Sequence, residues 1–389
     1  MTVPSSVAPA RPRRGWTMLT GALVALTAAL GIVAVPWFLM QERTTPLAPA
    51  SPRWFGSYVD VTRGQTPSDL AIGSSADTVV LAFVGAASAS DCTADWGGAY
   101  SLADAARTLD LDRRIARLQQ NGRQVAVSFG GTAIELAGAC ASVGDLASAY
   151  ASVLDRYAVT TMDLDLGVRA LDDPAAGDRR AQAVAQLQAN HHARGTPLAV
   201  WLTLPAGRGG LSTGGLRSIR QLQQAGVRLS GVNAMTGQDD APQGVQTPGA
   251  AAIAALTAVH DQLGRLYDEL NVDLPKGGAW AIMGATPTIG RSERADGTFA
   301  LDDAAALNDF AQRQRLARLS LWSTDRDGAC ASATDSGTGG CSGLALQDDA
   351  FAAVLRRGLG PAPDRAASTP PATASPAPPV PTPAPSPDP

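Results

Sequence analysis

Short, near-continuous apolar runs alternate with amphipathic segments of helical period over most of this chain. The runs are Trp54–Val61, Thr78–Val84, Gln124–Phe129, Thr160–Leu166, Leu198–Leu204, Leu229–Met235, Ala279–Ala285 and Arg318–Ser323. Runs of this length, apolar on both faces, are what parallel strands covered by helices look like. Between them, Leu109–Gln120, Asp145–Tyr157, Arg179–His191, Leu216–Ala225, Ala251–Leu270, Asp302–Gln314 and Asp348–Arg357 read as amphipathic helices. Several are closed by glycine, as at Asn121-Gly122 and Ala225-Gly226. Eight strands, each followed by a helix or a helix-length connection, over about 300 residues predict a (β/α)8 barrel spanning 52–360. An open doubly wound sheet would want a glycine-rich phosphate turn after an early strand, and Gly130-Gly131 lacks that spacing.

The fourth run breaks the apolar rule. Asp163, Asp165 and Gly167 share one face of the strand, while Met162, Leu164 and Leu166 share the other. Two carboxylates in an apolar strand are costly to bury unless they are paired or put to use. In such barrels the active site lies at the C-terminal ends of the strands. That points to Asp60, Ser128–Gly131, Asp163–Gly167, Thr203–Pro205, Asn233–Asp239, Thr286 and Trp322–Asp325.

The ends of the chain read differently. Arg11, Arg13 and Arg14 precede a charge-free apolar stretch over 16–40, bracketed by Trp16 and Trp37. This predicts a cytoplasmic basic segment (1–15), a transmembrane signal anchor (16–40) and a linker (41–51), with the rest outside. A cleaved signal peptide is the competing reading, with Ile32-Val33-Ala34 its nearest cleavage site. The Pro, Ala, Ser and Thr tail over 361–389 cannot bury a core and is expected to be disordered or extended.

An external location suits the four cysteines. The expected pairs are Cys92–Cys140 and Cys330–Cys341, although four cysteines allow three connectivities. Neither they nor His191, His192 and His260 have zinc-ligand spacing, so no metal or cofactor is expected. A net charge of −4 over 389 residues argues against nucleic acid as a partner. Lys276 is the single lysine of the chain.

The strand ends also carry a family likeness. Tyr58-Val59-Asp60, Leu81-Ala82-Phe83-Val84, the Cys92–Gly98 stretch, Ser128-Phe129-Gly130-Gly131, Met162–Gly167, Val232-Asn233-Ala234-Met235 and Leu319–Ser323 occur in order on successive strands and the loop after the second. This series resembles glycoside hydrolase family 18, the chitinase family, in its bacterial secreted branch. The family's fourth strand reads Asp-x-x-Asp-x-Asp-x-Glu. Its glutamate protonates the leaving oxygen, while the N-acetyl group of the substrate attacks the sugar carbon. The aspartate two residues before the glutamate orients the acetamido group.

By position, the resemblance implies Asp163 and Asp165 as the retained acids, with Thr160 in place of the first acid. Gly167 stands where the glutamate would be, and glycine has no proton to give. Gln238 and Asp239 follow Met235 where the family usually places an Asp and a Tyr. The resemblance implies that Tyr58, Ser128, Asp163, Asp165, Met235, Gln238 and Trp322 line the sugar cleft, with Trp322 as its floor. Each has a bland counterpart: the aspartates as a hydrogen-bonded barrel filling, and Trp322, Trp96 and Trp201 as packing residues. Asp172-Asp173, Asp325 and Asp327 read as solvated loop charges.

The expected protein is a membrane-anchored, extracellular chitinase-like domain that binds N-acetylglucosamine-containing glycan or the cell envelope with little or no hydrolysis. Two rivals stand beside it. One is an active glycosidase using a relocated acid from Glu135, Asp239 or Asp240. The other is a barrel kept as a protein-interaction scaffold.

Overall fold

A computed structural model of the protein describes residues 52–63, 77–237, 247–291, 297–328, 330 and 340–361. Eight parallel strands close into a barrel. They are β1 (Trp54–Asp60), β2 (Thr78–Ser88), β3 (Gln124–Gly130), β4 (Thr161–Asp165), β5 (Ala199–Gly207), β6 (Leu229–Thr236), β7 (Met283–Pro287) and β8 (Arg318–Leu321). Each pairs with the next, and β1 pairs with both β2 and β8 to complete the ring. Seven main helices lie between and after the strands: α1 (Leu111–Gln120), α2 (Val143–Arg156), α3 (Pro174–Ala193), α4 (Thr213–Gln224), α5 (Pro248–Glu269), α6 (Leu301–Gln314) and α7 (Ala350–Leu355).

Strand alternation divides the interior in two. Outward side chains such as Phe129, Met162, Leu164, Leu202 and Val232 join Leu146, Val184, Ile219 and Leu307 of the helices in one continuous layer. Inward side chains form a separate cluster of Trp54, Tyr58, Val80, Ala82, Phe83, Ala126, Trp201 and Ala317. Barrel interiors are commonly filled by branched aliphatic residues, and here aromatic rings take much of that volume.

Helix starts are set by local chemistry. Ser142, Asp173, Ser212 and Thr247 each accept a backbone amide from the first turn of the helix that follows. Pro174 and Pro248 begin α3 and α5, where a missing amide costs nothing. These first turns are poor in large apolar residues, so periodicity places the helix starts too late. Asp173 is thus a helix cap, where the sequence suggests a free loop charge.

Two other expectations change. The run Ala279–Ala285 does not start as a strand: Gly278–Ile282 forms a 3-10 turn and β7 begins at Met283. Gly277 and Gly278, at φ 110° and 67°, turn the chain sharply at that point, and an apolar run by itself cannot tell strand from helical turn. Beyond the barrel, Asp91–Trp96 folds back antiparallel on the extended end of β2. Trp96 is fully buried there and its indole N–H donates to the Tyr157 hydroxyl at 3.0 Å, so it is a packed anchor.

Both cysteine pairs are bonded as expected, Cys92 with Cys140 and Cys330 with Cys341. The first ties the folded-back strand to the end of a short helix, Leu136–Ala139, that follows β3. Among the described residues, no helix is long and apolar enough to cross a membrane. The segments 1–15, 16–40 and 41–51, and the tail from 362, lie outside the described residues.

Candidate functional site

The two aspartates of β4 project into the barrel, as the alternation requires. Asp163 stands beside Ser128 of β3 and Trp201 of β5, and Asp165 beside Gly130 and Thr203. Asp163 is wholly buried and fully partnered. Its Oδ2 accepts from the Tyr58 hydroxyl at 2.8 Å and the Ser128 hydroxyl at 2.8 Å. Its Oδ1 accepts from the Thr203 hydroxyl at 2.7 Å and from Nη1 of Arg318 at 2.9 Å.

Arg318 completes the network. Its Nη2 donates to the Tyr58 oxygen at 2.8 Å and its Nε to the Ser320 hydroxyl at 2.7 Å. The guanidinium lies 4.6 Å from the Trp54 ring, 5.4 Å from Tyr58 and 5.3 Å from Trp201. Burial pushes the Tyr58 hydroxyl well above its ordinary range, with Asp163 and Asp165 acting the same way and Arg318 opposing. Tyr58 therefore keeps its proton and donates it.

These large groups fit because neighbouring strand positions are glycine. A Cβ on Gly56 would stand 2.8 Å from the Trp54 ring, and one on Gly284 2.8 Å from Asn233 Oδ1 and 3.0 Å from Cβ of Arg318. A Cβ on Gly231 would collide with the Trp201 ring. Arg318 is the buried partner of Asp163 that the sequence reading missed. The signal was the same one that exposed the aspartates: a charged side chain at an inward position of an apolar run.

Asp165 differs from Asp163. It is buried at 4% exposure, yet among the described residues no donor reaches its carboxyl. Burial raises its proton affinity well above the ordinary carboxylate range, the nearby Asp163 adds to this, and Arg318 only partly opposes it. Two residues further toward the barrel mouth, Gly167 has ordinary extended backbone and begins a four-residue helix, Val168–Leu171.

Aromatic residues build the neighbouring wall. Trp322 is half-buried, stacked on Phe83 with ring centroids 5.1 Å apart, and edge-on to Tyr58 at 5.8 Å. Gly131 has φ 57° and leaves room for the Phe83 ring, and its amide donates to the Asp165 carbonyl at 2.8 Å. Met235, half-buried near the end of β6, pairs in register with Pro205 and Thr286. Asn233 Nδ2 bridges Thr203 at 3.0 Å and Thr286 at 2.8 Å.

The structure thus brings Tyr58, Ser128, Asp163, Asp165 and Trp322 together at or under one strand end, while Gln238, Asp239 and Asp240 lie outside the described residues. Glu135 is committed elsewhere. It accepts from the buried Arg180 at 3.1 Å and from the Gly138 amide at 3.0 Å. Asp327 is buried and accepts the Phe351 and Ala352 amides at 2.8 and 2.7 Å, so it is a structural acceptor and no solvated charge. Among the described residues no cluster of His, Cys, Asp or Glu is poised to hold a metal.

Comparison with known proteins gives a consistent answer. No family model matches the chain. It is 30% identical to a probable bifunctional chitinase/lysozyme of Escherichia coli (strain K12) over 309 residues, 76% of this chain and 33% of the relative. It is 29% identical to endochitinase 11 of Metarhizium anisopliae over 309 residues, 76% of this chain and 56% of that protein. The chain therefore spans a third to a little over half of these curated relatives. Its fold matches the catalytic domain of a hyperthermophilic chitinase from Pyrococcus furiosus with a TM-score of 0.65 at 26% identity, over 79% of this chain and 95% of that domain. A closed (β/α)8 barrel with this order of strand-end motifs and these relatives places the chain in the chitinase-like glycoside hydrolase family 18.

Proposed function

We propose that this protein binds N-acetylglucosamine-containing glycan in the cleft above Asp165 and hydrolyses it little or not at all. The observation that carries the reading is Gly167. It stands two residues beyond Asp165 on β4, where the family resemblance calls for the proton donor, and it carries no side chain. General acid help is worth roughly 10²–10⁴-fold in rate. The cleft around it keeps features suited to a sugar: a carboxyl at Asp165 that no donor reaches among the described residues, and the Phe83–Trp322 aromatic stack, whose apolar faces suit sugar C–H groups. Catalytic-site mutants of active domain 2 of a thermostable chitinase from Pyrococcus furiosus, 25% identical, form complexes with chito-oligosaccharides, so an altered catalytic site and ligand binding are compatible in this fold. The commitment of Glu135 to Arg180 argues against its service as a relocated acid.

The apolar stretch over 16–40 supports a location at the outer face of a membrane, with the barrel outside the cell. Protease treatment of intact cells tests that part: the barrel should be digested from outside and the N-terminal segment retained in the membrane fraction.

Isothermal titration with an N-acetylglucosamine oligomer tests the main reading. Saturable heat that stops at saturation, and is lost in Trp322→Ala, is the expected result. Continuing heat from turnover would instead support a hydrolase. No heat, together with no retention on insoluble chitin or peptidoglycan, would support a protein-interaction scaffold.

A further inference from the structure

We propose that Asp325 is a positioning residue of the cleft: in its protonated form it closes the seam between β1 and β8 at the barrel mouth and so holds Trp322 against Tyr58, which makes ligand binding weaken as pH rises. The identity of the ligand rests on the glycan reading; the movement of Trp322 does not.

The seam is a place where the strand ladder stops short. β1 and β8 pair only as far as Ser57 with Leu321, while on its other side β1 stays paired with β2 up to Asp60 with Ala82. Beyond Leu321 the chain is tied to the end of β7 instead. The Trp322 amide donates to the Pro287 carbonyl at 3.0 Å, and its carbonyl accepts the Ile289 amide at 3.2 Å. Arg326 Nε donates to the Ile289 carbonyl at 3.1 Å. A ring and a carboxyl reach back to the end of β1. The Trp322 ring lies edge-on to Tyr58. Asp325, in the 3-10 turn Thr324–Arg326, accepts the backbone amide of Asp60.

The proton decides whether the carboxyl contact holds. Asp325 is no solvated loop charge: its Oδ2 is sealed from solvent and has no partner among the described residues. A neutral carboxyl tolerates that position far better than a carboxylate does. Burial, and then the Asp60 carboxylate, push the group up to about 6, and Arg63 only partly opposes them. Arg63 is engaged by Asp60 itself, Nε to Oδ2 at 3.2 Å, while Asp60 Oδ1 accepts the Thr62 amide and hydroxyl at 3.0 and 2.7 Å. On the turn's own segment, Arg326 is committed to the Ile289 carbonyl and Asp327 to the Phe351 and Ala352 amides. With its proton affinity raised on folding, Asp325 stabilises the closed seam below about pH 6 and ceases to do so as pH rises through that value. Once ionised it is driven from Asp60 toward water. The end of β8 then follows β7, to which its backbone is bonded, and Trp322 leaves Tyr58.

The test is isothermal titration of the full chain with an N-acetylglucosamine tetramer at pH 5 and pH 7, beside the indole NMR signal of Trp322 in the ligand-free protein, assigned with Trp322→Phe. Apparent affinity scales with the fraction of protein in the competent state, so a midpoint near 6 predicts about tenfold weaker binding at pH 7. The Trp322 signal should move with the same midpoint. Asp325→Asn has the shape of the protonated acid and does not titrate; it should bind alike at both pH values and keep the signal still. Asp60→Asn removes the like charge and should move the midpoint to lower pH. A pH dependence of the same size in Asp325→Asn overturns the proposal, and so does a Trp322 signal that ignores pH in the unsubstituted protein. If Asp325→Asn does not fold, an unchanged midpoint in Asp60→Asn overturns it. No heat at either pH overturns the glycan reading, and the Trp322 signal then decides the role of Asp325.

Discussion

Among the described residues, and apart from its chain neighbours, the carbonyl oxygen of Gly131 is the nearest atom to a side chain grown from Gly167, 3.8 Å from where its first carbon would stand. Gly167 has φ −71° and ψ 172°, a conformation open to any residue. Glycine is therefore not imposed here by the backbone or by crowding. Gly167→Glu should fold with a stability change of about 0.5 kcal/mol or less. It should also fall short of the roughly 10²–10⁴-fold gain that a working general acid supplies, if Gln238 and Asp239 stand where the resemblance places the family's Asp and Tyr. Release of reducing ends from an N-acetylglucosamine tetramer measures this. Robust hydrolysis from the single change would show that the sixth strand is adequate as it stands.

The Arg318–Asp163 pair is buried at both ends. Removing one partner of such a pair leaves a charge in the barrel without compensation, at a cost of about 3–5 kcal/mol. Asp163→Ala and Arg318→Ala should each lower the urea midpoint accordingly. The double variant should cost clearly less than their sum, since the two act through one network. Additive losses would mean that the pair is not the unit of stability.

Asp325, just beyond β8, gives a pH dependence of known sign. Burial, and then the neighbouring Asp60, push its carboxyl up to about 6, and its Oδ2 is buried without a partner among the described residues. A carboxyl whose proton affinity is raised on folding contributes stability at low pH that is lost as pH rises through about 6. Asp325→Asn should therefore raise stability at pH 7 by about 1–2 kcal/mol, after allowance for its partial exposure, and change little at pH 4. Thermal unfolding at the two pH values checks it; an equal gain at both would point to packing.

The Cys92–Cys140 bridge closes a segment of 48 residues. On the chain-entropy account such a cross-link is worth about 4 kcal/mol, typically less in practice. Paired replacement of both cysteines by serine should lower stability by about 2–4 kcal/mol in guanidinium unfolding, with the larger share of the loss near the strand Asp91–Trp96. A loss under 1 kcal/mol would mean that Trp96 and Tyr157 already hold that strand in place.

The barrel was legible because most of its strands are short apolar runs and most of its main helices carry an apolar stripe. Asp163, Asp165 and Trp322 were legible for a different reason: they interrupt or terminate such runs at inward positions. Arg318 carries the same mark, yet it lies at the start of its strand, away from the ends where chemistry is sought, and it reaches Asp163 only through its length. Glu135 and Asp327 show the reverse limit. Their charges look free in sequence because Arg180 and the amides of Phe351 and Ala352 are distant along the chain. The start of β7 was misplaced because a turn set by Gly277 and Gly278 has the same apolar composition as a strand.

The glycines at 56, 231 and 284 have a consequence for the shape of what can bind. By admitting Trp54, Trp201 and Arg318 to the middle of the tube, they stopper it from below. A ligand bound at the mouth would then gain contact by extending sideways across it and not by sinking deeper. Changes of ligand length should be read out in the loops that surround the opening, and the stopper should be indifferent to them.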